Sequence, residues 1–155
     1  DLEALRESLQ AIKNAQMILI NGKKNNEFEK KILKINTRLN IFYSSYKAEN
    51  LNEFNGKKLL AISGIGNPEN FFDMLKRNNL KIVQKLIVPD HYMFAKNEIE
   101  KIINKAKDDN LEIIMTEKDY YKVEHFGFNK LGYLKISLII EKKEEFLNKI
   151  KEIYV

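Results

Sequence analysis

The sequence predicts an α/β protein: a layered sandwich with a mostly parallel sheet, in which strands alternate with helices. Short apolar runs that end at turn residues alternate with amphipathic stretches of about ten to fifteen residues. The chain has 155 residues, 44% of them hydrophobic, which is enough for one well-packed domain, or for one domain with an appendage. It has no run of eighteen apolar residues, so the sequence predicts no membrane-spanning helix.

The first part of the chain predicts two helices and two strands. Leucine and isoleucine residues at helical spacing predict a helix over residues 2–16. The run QMILING, residues 16–22, predicts a strand that ends in an Asn-Gly turn. Helical periodicity returns over residues 25–35, and alternation over residues 38–48 predicts a second strand. Residues 49–57 are polar and contain a second Asn-Gly pair, which predicts a loop.

The remainder of the chain predicts a stronger alternation of strands and helices. Proline stands in the first turn of the first of these helices, as is common there. The predicted elements are a strand over 57–63, a helix over 68–79, a strand over 80–88, a helix over 96–110, a strand over 111–115, a helix over 116–126, a strand over 133–140 and a final helix over 141–154.

The first residues predict that the sequence begins inside a domain. The first helix follows no strand and no cap signal, and the polar loop at residues 49–57 has the composition of a boundary. We therefore expect residues 1–46 to be the remainder of something larger. Residues 57–155 are expected to form a nearly complete C-terminal α/β domain.

Composition narrows the function classes. The absence of cysteine excludes disulfides and thiolate metal sites, and two histidines are too few for a histidine-based metal site without help from carboxylates. The N-terminus has no apolar signal core, so no export signal is predicted. The net charge of +5 is typical of proteins that bind nucleic acid or anionic membranes. Only three of the 27 basic residues are arginine, the preferred phosphate and base ligand, and we therefore expect no nucleic acid partner.

The stretch Gly64-Ile65-Gly66-Asn67-Pro68 breaks an apolar strand and opens a helix. Glycines allow a backbone to approach an anion, and a helix N-terminus offers free N–H groups to it. The spacing matches neither the dinucleotide fingerprint nor the triphosphate loop, and Pro68 removes one N–H donor. From spacing alone, a tight strand-to-helix turn and a phosphate site therefore both remain open.

Two further polar clusters follow predicted strands. Asp90 and His91 come after Pro89, and histidine next to a carboxylate is typical of acid–base groups, although an exposed turn explains the pair equally well. Adjacent residues on an extended chain point in opposite directions, so we expect no direct hydrogen bond between these side chains. Thr116 with Asp119 three positions later resembles a capping box, which explains both residues without a ligand. Since parallel strands bring their carboxyl ends to one edge, the three clusters are expected to meet there.

GIGNPENFF, PDHY and TEKD, in this order and at these separations, resemble the C-terminal half of the tetraacyldisaccharide 4'-kinase family of lipid A biosynthesis. That family typically shows Gly-Ile-Gly-Asn-Pro-x-x-Phe-Phe, Pro-Asp-His-His and Thr-Glu-Lys-Asp motifs. LRESL at residues 5–9 is similar to its Leu-Arg-Glu-Pro-Leu segment, and AQMILING is similar to the strand that follows. Tyr92 replaces a usual second histidine, and Ser8 replaces a usual proline.

The resemblance implies a kinase of two hinged α/β halves. It implies transfer of the γ-phosphate of ATP, with Mg²⁺, to the 4'-hydroxyl of a tetraacyldisaccharide 1-phosphate. The location that it implies is the cytoplasmic face of the bacterial inner membrane. The family's phosphate loop and its magnesium-binding acidic residues lie upstream of LRESL. Residues 1–56 would then be the tail end of the N-terminal kinase domain plus the hinge region, and we expect this chain alone to be inactive.

The resemblance also assigns site residues. His91 matches the catalytic histidine, with Asp90 beside it, and Arg6 matches an arginine near the phosphates. The substrate- or phosphate-binding residues predicted in this way are Arg6, Glu7, Gly64, Gly66, Asn67, Thr116, Glu117, Lys118 and Asp119. The predicted partners are ATP, the lipid A precursor and the inner-membrane surface, and the chain is expected to be a monomer. The alternative is a non-catalytic α/β module that binds a nucleotide or an anionic headgroup.

Overall fold

The computed structural model describes residues 8–154. Its strands are β1 (Met17–Asn21), β2 (Asn40–Ala48), β3 (Lys58–Ser63), β4 (Lys81–Ile87), β5 (Glu112–Thr116), β6 (Leu131–Leu134) and β7 (Ile136–Ile140). Its α-helices are α1 (Asn26–Ile35), α2 (Pro68–Arg77), α3 (Lys96–Asp108), α4 (Glu117–Val123) and α5 (Lys143–Tyr154). Short 3-10 helices cover Leu9–Asn14, Leu51–Glu53 and Glu124–Phe126. Of the helices in the described part of the chain, none is both long enough and apolar enough to cross a membrane.

The chain divides into two compact units. Among the described residues, the first unit contains those up to Lys47 together with those from Leu138 onward, and the second unit is Ala48–Ser137. The predicted boundary falls after residue 56, whereas the chain first crosses between the units at Lys47 and Ala48. The prediction placed the end of the chain in the C-terminal domain, whereas the structure groups it with the first unit, because β7 joins the sheet of β1 and β2.

The first unit has a sheet of order β1-β2-β7, in which β1 and β2 are parallel. Asn25 caps α1, because its side-chain oxygen accepts hydrogen bonds from the N–H groups of Glu27 and Phe28. Phe42 of β2 meets Phe146 of α5 edge to face, with ring centroids 5.2 Å apart. The cap fixes the start of α1, and the ring contact holds α5 against the sheet of this unit.

The second unit has an all-parallel sheet of order β4-β3-β5-β6. Leu59 to Ser63 of the central strand β3 are all buried, as expected for a parallel sheet covered on both faces. Side chains alternate along β3 between two hydrophobic clusters. One cluster contains the buried face of α2, and the other contains α3 and α4. The sheet is therefore sandwiched between helices, which confirms the predicted α/β class.

Two predicted elements need correction. The predicted first helix is observed as the 3-10 helix Leu9–Asn14, and residues 2–7 of that prediction lie outside the described residues. The single predicted strand over 133–140 is two strands that belong to different sheets. The break is at Lys135, whose N–H donates to the Asn50 side chain and whose carbonyl accepts from the Glu49 N–H. These non-ladder bonds satisfy its backbone and allow the chain to leave one sheet for the other.

Candidate functional site

The three predicted polar clusters come together at the carboxyl edge of the second sheet. β3, β4 and β5 are parallel, so the loops that follow Ser63, Ile87 and Thr116 leave the sheet at the same edge. The loops are in direct contact. The Gly64 N–H donates to Asp119 at 2.7 Å, and the Lys118 ammonium donates to Asp90 at 2.9 Å. The convergence expected from the strand order is confirmed.

The glycine loop, residues 64–68, contains two glycines in different environments. Packing leaves no room for a side chain at the first, whereas the second is exposed to solvent. Gly64 is buried, and a Cβ placed on it would lie 2.7 Å from Val88 Cγ2 and 3.1 Å from Asp119 Oδ1. Gly66 is exposed, and its added Cβ would have an ordinary contact of 3.6 Å with Asp90 Oδ2. Asn67 is the N-cap of α2 but makes no capping hydrogen bond with its side chain. Gly64 therefore has a structural role, whereas Gly66 and Asn67 are open to solvent.

We expect Gly64→Ala to destabilise the chain by about 1–3 kcal/mol, because the new methyl group overpacks against Val88 and the Asp119 carboxylate. Gly66→Ala is the matched control, with an expected change within about 0.5 kcal/mol. Urea denaturation of both variants measures the difference. Equal stability of the two variants would contradict the packing argument.

Asp90 and His91 form a tight turn after β4. His91 has a φ of 62° in the left-handed region, which a non-glycine residue adopts only when contacts hold it. Its N–H donates to Asp90 Oδ1 at 2.9 Å, and its Nε2 lies 3.7 Å from Asp90 Oδ2. The two side chains make no direct hydrogen bond, as expected, because the 3.7 Å separation is too long for one. The expected reason does not hold, since the backbone is not extended at His91.

The electrostatics of this turn are dominated by Lys118. The hydrogen bond from Lys118 lowers the pKa of the Asp90 carboxyl, and the His91 N–H adds to this effect, while partial desolvation opposes it. Asp90 is therefore a carboxylate near neutral pH. The His91 side chain is 79% exposed, so its imidazole is accessible to a ligand or a partner.

The segment from Thr116 to Asp119 forms the start of α4. The Thr116 hydroxyl oxygen accepts from the Asp119 N–H at 3.2 Å, and the hydroxyl donates to Asp119 Oδ2 at 2.7 Å, which confirms the predicted cap. Asp119 is fully buried, and its other oxygen accepts from Lys122 at 2.8 Å. Glu117 is half-buried in the first turn of α4. Thr116 and Asp119 thus form the cap of α4, and Asp119 also bonds the loop that follows β3. Lys118 is exposed and contacts Asp90 in the loop that follows β4.

Sequence reasoning missed the anchor of the His91 turn. The Tyr92 hydroxyl donates to Glu98 Oε1 at 2.8 Å, and Glu98 Oε2 accepts from the Ala95 N–H at 2.7 Å. The Ala95 N–H and then the Tyr92 hydroxyl lower the pKa of Glu98, and the same contact with Glu98 raises the pKa of Tyr92. The detectable signal was Glu98 at the third position of α3, where a carboxylate bonds back to the N-cap backbone.

Arg6 and Glu7 lie outside the described residues, so the structure does not locate them. His125 is exposed in the 3-10 helix after α4 and packs its ring on Phe126 at 4.0 Å. Over residues 8–154, no group of three or more histidine, aspartate or glutamate side chains is arranged to hold a metal ion.

Comparison with known proteins identifies relatives over almost the whole chain. The family described as Tetraacyldisaccharide-1-P 4'-kinase matches residues 4–154. The tetraacyldisaccharide 4'-kinase of Pelagibacter ubique is 38% identical over 149 residues, which cover 94% of this chain and 48% of that protein. The tetraacyldisaccharide 4'-kinase of Francisella tularensis subsp. novicida is 30% identical over 147 residues, which cover 88% of this chain and 43% of that protein. The chain thus spans about half the length of the curated relatives that it matches.

A solved structure supports the fold. The crystal structure of LpxK from Aquifex aeolicus in complex with ATP superposes with a TM-score of 0.62 at 19% identity. The superposition covers 97% of this chain and 46% of that one. At this identity the comparison shows a shared fold.

Proposed function

The chain belongs to the tetraacyldisaccharide-1-P 4'-kinase family, and from that premise we propose that it is the carboxyl-terminal part of a lipid A 4'-kinase. The reaction transfers the γ-phosphate of ATP to the 4'-hydroxyl of a tetraacyldisaccharide 1-phosphate. The 4'-oxygen forms a bond to the γ-phosphorus, the bond to the β,γ-bridging oxygen breaks, and ADP leaves. The hydroxyl proton passes to a base.

One observation carries the proposal for this chain. The three segments that match the family motifs lie far apart in sequence and meet at the carboxyl edge of one parallel sheet. Ligands of open α/β sheets bind at this edge. An exposed imidazole, an open glycine and the start of α2 lie together there, as a site for an anionic reactant requires.

We assign His91 the role of supporting removal of the hydroxyl proton, together with an acidic residue from outside this chain. Its turn places the imidazole in solvent, and Asp90 holds the turn. Gly66, Asn67 and the first turn of α2 are proposed to face phosphate, because the exposed backbone there provides N–H groups and the positive end of the helix dipole. Arg6 would stabilise charge on the transferring group, with Glu7 beside it.

Magnesium does not fit the described residues. Two of the carboxylates at the site are already engaged, Asp90 by Lys118 and Asp119 by Lys122, Thr116 and Gly64. Mg²⁺ requires oxygen ligands in octahedral geometry, and residues 8–154 offer no suitable group. If the enzyme uses Mg²⁺, we propose that its ligands come from another part of the protein, and we derive no step through the metal.

We also propose that the protein acts at the cytoplasmic face of the bacterial inner membrane. The acceptor carries four acyl chains, so it resides in a bilayer, whereas ATP is in the cytoplasm. The net charge of +5 favours the anionic surface of that leaflet. Flotation of the full-length protein with anionic vesicles tests whether it binds an anionic membrane surface. Retention that is equal on neutral vesicles would contradict an electrostatic contribution.

Complementation tests the activity in cells. The full-length gene should restore growth to a bacterial strain depleted of its own tetraacyldisaccharide 4'-kinase, whereas this 155-residue chain alone should not. Immunoblots establish that both products accumulate. Failure of the accumulated full-length protein to restore growth would overturn the assignment, and rescue by this chain alone would overturn its assignment as a part of the enzyme.

A further inference from the structure

We propose that Lys118 is a positioning residue that fixes Asp90 and thereby the turn that presents His91, and that it does not bind substrate phosphate. The inference rests on the proposed function, since it concerns the same site. It changes the role that the TEKD motif was predicted to have. We call the first turn of α4 a clamp, because it bonds both to the glycine loop (residues 64–68) and to the histidine turn (residues 90–91).

The clamp is built from two neighbouring side chains that reach in different directions. Asp119 accepts the Gly64 N–H at 2.7 Å and thereby holds the glycine loop. Lys118 donates to Asp90 Oδ1 at 2.9 Å and thereby holds the histidine turn. The backbone at the start of α4 is held in place, because Asp119 is fully buried and its N–H is bonded to Thr116. The Lys118 ammonium therefore extends from a rigid base.

The histidine turn needs such support. His91 adopts a left-handed φ of 62°, which costs free energy for a residue with a Cβ. Asp90 Oδ1 accepts both the His91 N–H and the Lys118 ammonium, so one oxygen links the strained backbone to α4. Without Lys118, the carboxylate loses its partner on α4, and the His91 turn becomes free to shift.

If Lys118 bound phosphate instead, its ammonium group would have to point at the ligand. A lysine that binds phosphate contributes a point charge directed at the ligand. Here the Lys118 ammonium already points at a carboxylate, and the two side chains are 46% and 39% exposed. A direct ligand would lose affinity on mutation, which raises KM. A positioning residue loses turnover instead, which lowers kcat.

Lys118→Met in the full-length protein is expected to lower kcat about tenfold through misplacement of His91, with KM for ATP and lipid changed by less than about twofold. Lys118→Arg should restore most of the turnover, because the contact with Asp90 uses one donor. Lys57→Met is the matched control, since Lys57 pairs with Glu112 at 2.8 Å at the opposite edge of the same sheet. Its kcat should be unchanged. A rise in KM with unchanged kcat in Lys118→Met would overturn the inference.

A double-mutant cycle with Asp90→Asn shows whether Lys118 acts through Asp90. Lys118→Met is expected to add less than about a twofold further loss of kcat in the Asp90→Asn background. Full, multiplicative losses would show that Lys118 acts directly and would contradict the proposal.

A second readout does not depend on kinase activity. Carbon-detected NMR of this 155-residue chain should show that the pKa of Asp90 rises in Lys118→Met and stays low in Lys118→Arg and Lys57→Met. An unchanged pKa in Lys118→Met would overturn the contact itself. Absence of kinase activity in the wild-type enzyme would refute the proposed function. The NMR measurement would still test the contact between Lys118 and Asp90, because it does not depend on activity.

Discussion

His91→Ala in the full-length protein is expected to lower kcat by about a hundredfold or more, with a small effect on KM. In the proposed mechanism, the exposed imidazole at the sheet edge supports proton removal from the acceptor hydroxyl, a contribution of the size typical of general base catalysis. Steady-state phosphorylation of the lipid at saturating ATP measures the loss.

His125→Ala is the control for this experiment, because His125 is also exposed in the second unit, in the 3-10 helix after α4, where its ring packs on Phe126. Its kcat should remain within about twofold of wild type. An unchanged kcat in His91→Ala would show that His91 serves the turn and not the reaction. Equal losses in both variants would indicate a general effect of histidine removal on folding.

Asp119→Ala is expected to destabilise the chain by about 3–5 kcal/mol, because it removes one partner of a buried ion pair. Asp119 is fully buried, Lys122 is 14% exposed at 2.8 Å, and the Gly64 N–H would also lose its acceptor. Urea denaturation of the 155-residue chain measures the change in free energy of unfolding.

The matched control is Asp73→Ala, which removes an aspartate–lysine pair with the same three-residue spacing on the surface. Asp73 lies 3.8 Å from Lys76, and the two side chains are 48% and 57% exposed. The expected change is within about 0.5 kcal/mol, as for other exposed pairs. A similar small change in Asp119→Ala would contradict the role of Asp119 as the buried link between two loops.

The fold class and most elements could be predicted because they depend on local periodicity. Apolar alternation and helix-start signals identified the parallel strands and helices of the second unit. The split of residues 133–140 could not be predicted, because it depends on Asn50, whose side chain bonds the backbone of Tyr133 and Lys135 more than eighty positions away. The return of the end of the chain to the first unit is likewise a long-range pairing.

The convergence of the site could be predicted for a general reason, but its geometry could not. Parallel strands deliver their loops to one edge, which placed Gly64, Asp90 and Thr116 together. The capping signal placed Thr116 against Asp119. No local pattern indicated that Asp119 would also bind the Gly64 N–H, 55 positions away, or that His91 would adopt a left-handed φ. Which residues contact substrate remains a prediction.

Transfer of labelled phosphate from ATP to a purified tetraacyldisaccharide 1-phosphate tests the central claim most directly. The account predicts that the full-length protein forms the 4'-phosphate, with its position established by phosphorus–proton NMR, and that the 155-residue chain alone forms none. Product at any other hydroxyl, or no transfer by the folded full-length protein, would contradict the kinase assignment. ATP binding without transfer by the full-length protein would instead support the non-catalytic binding module.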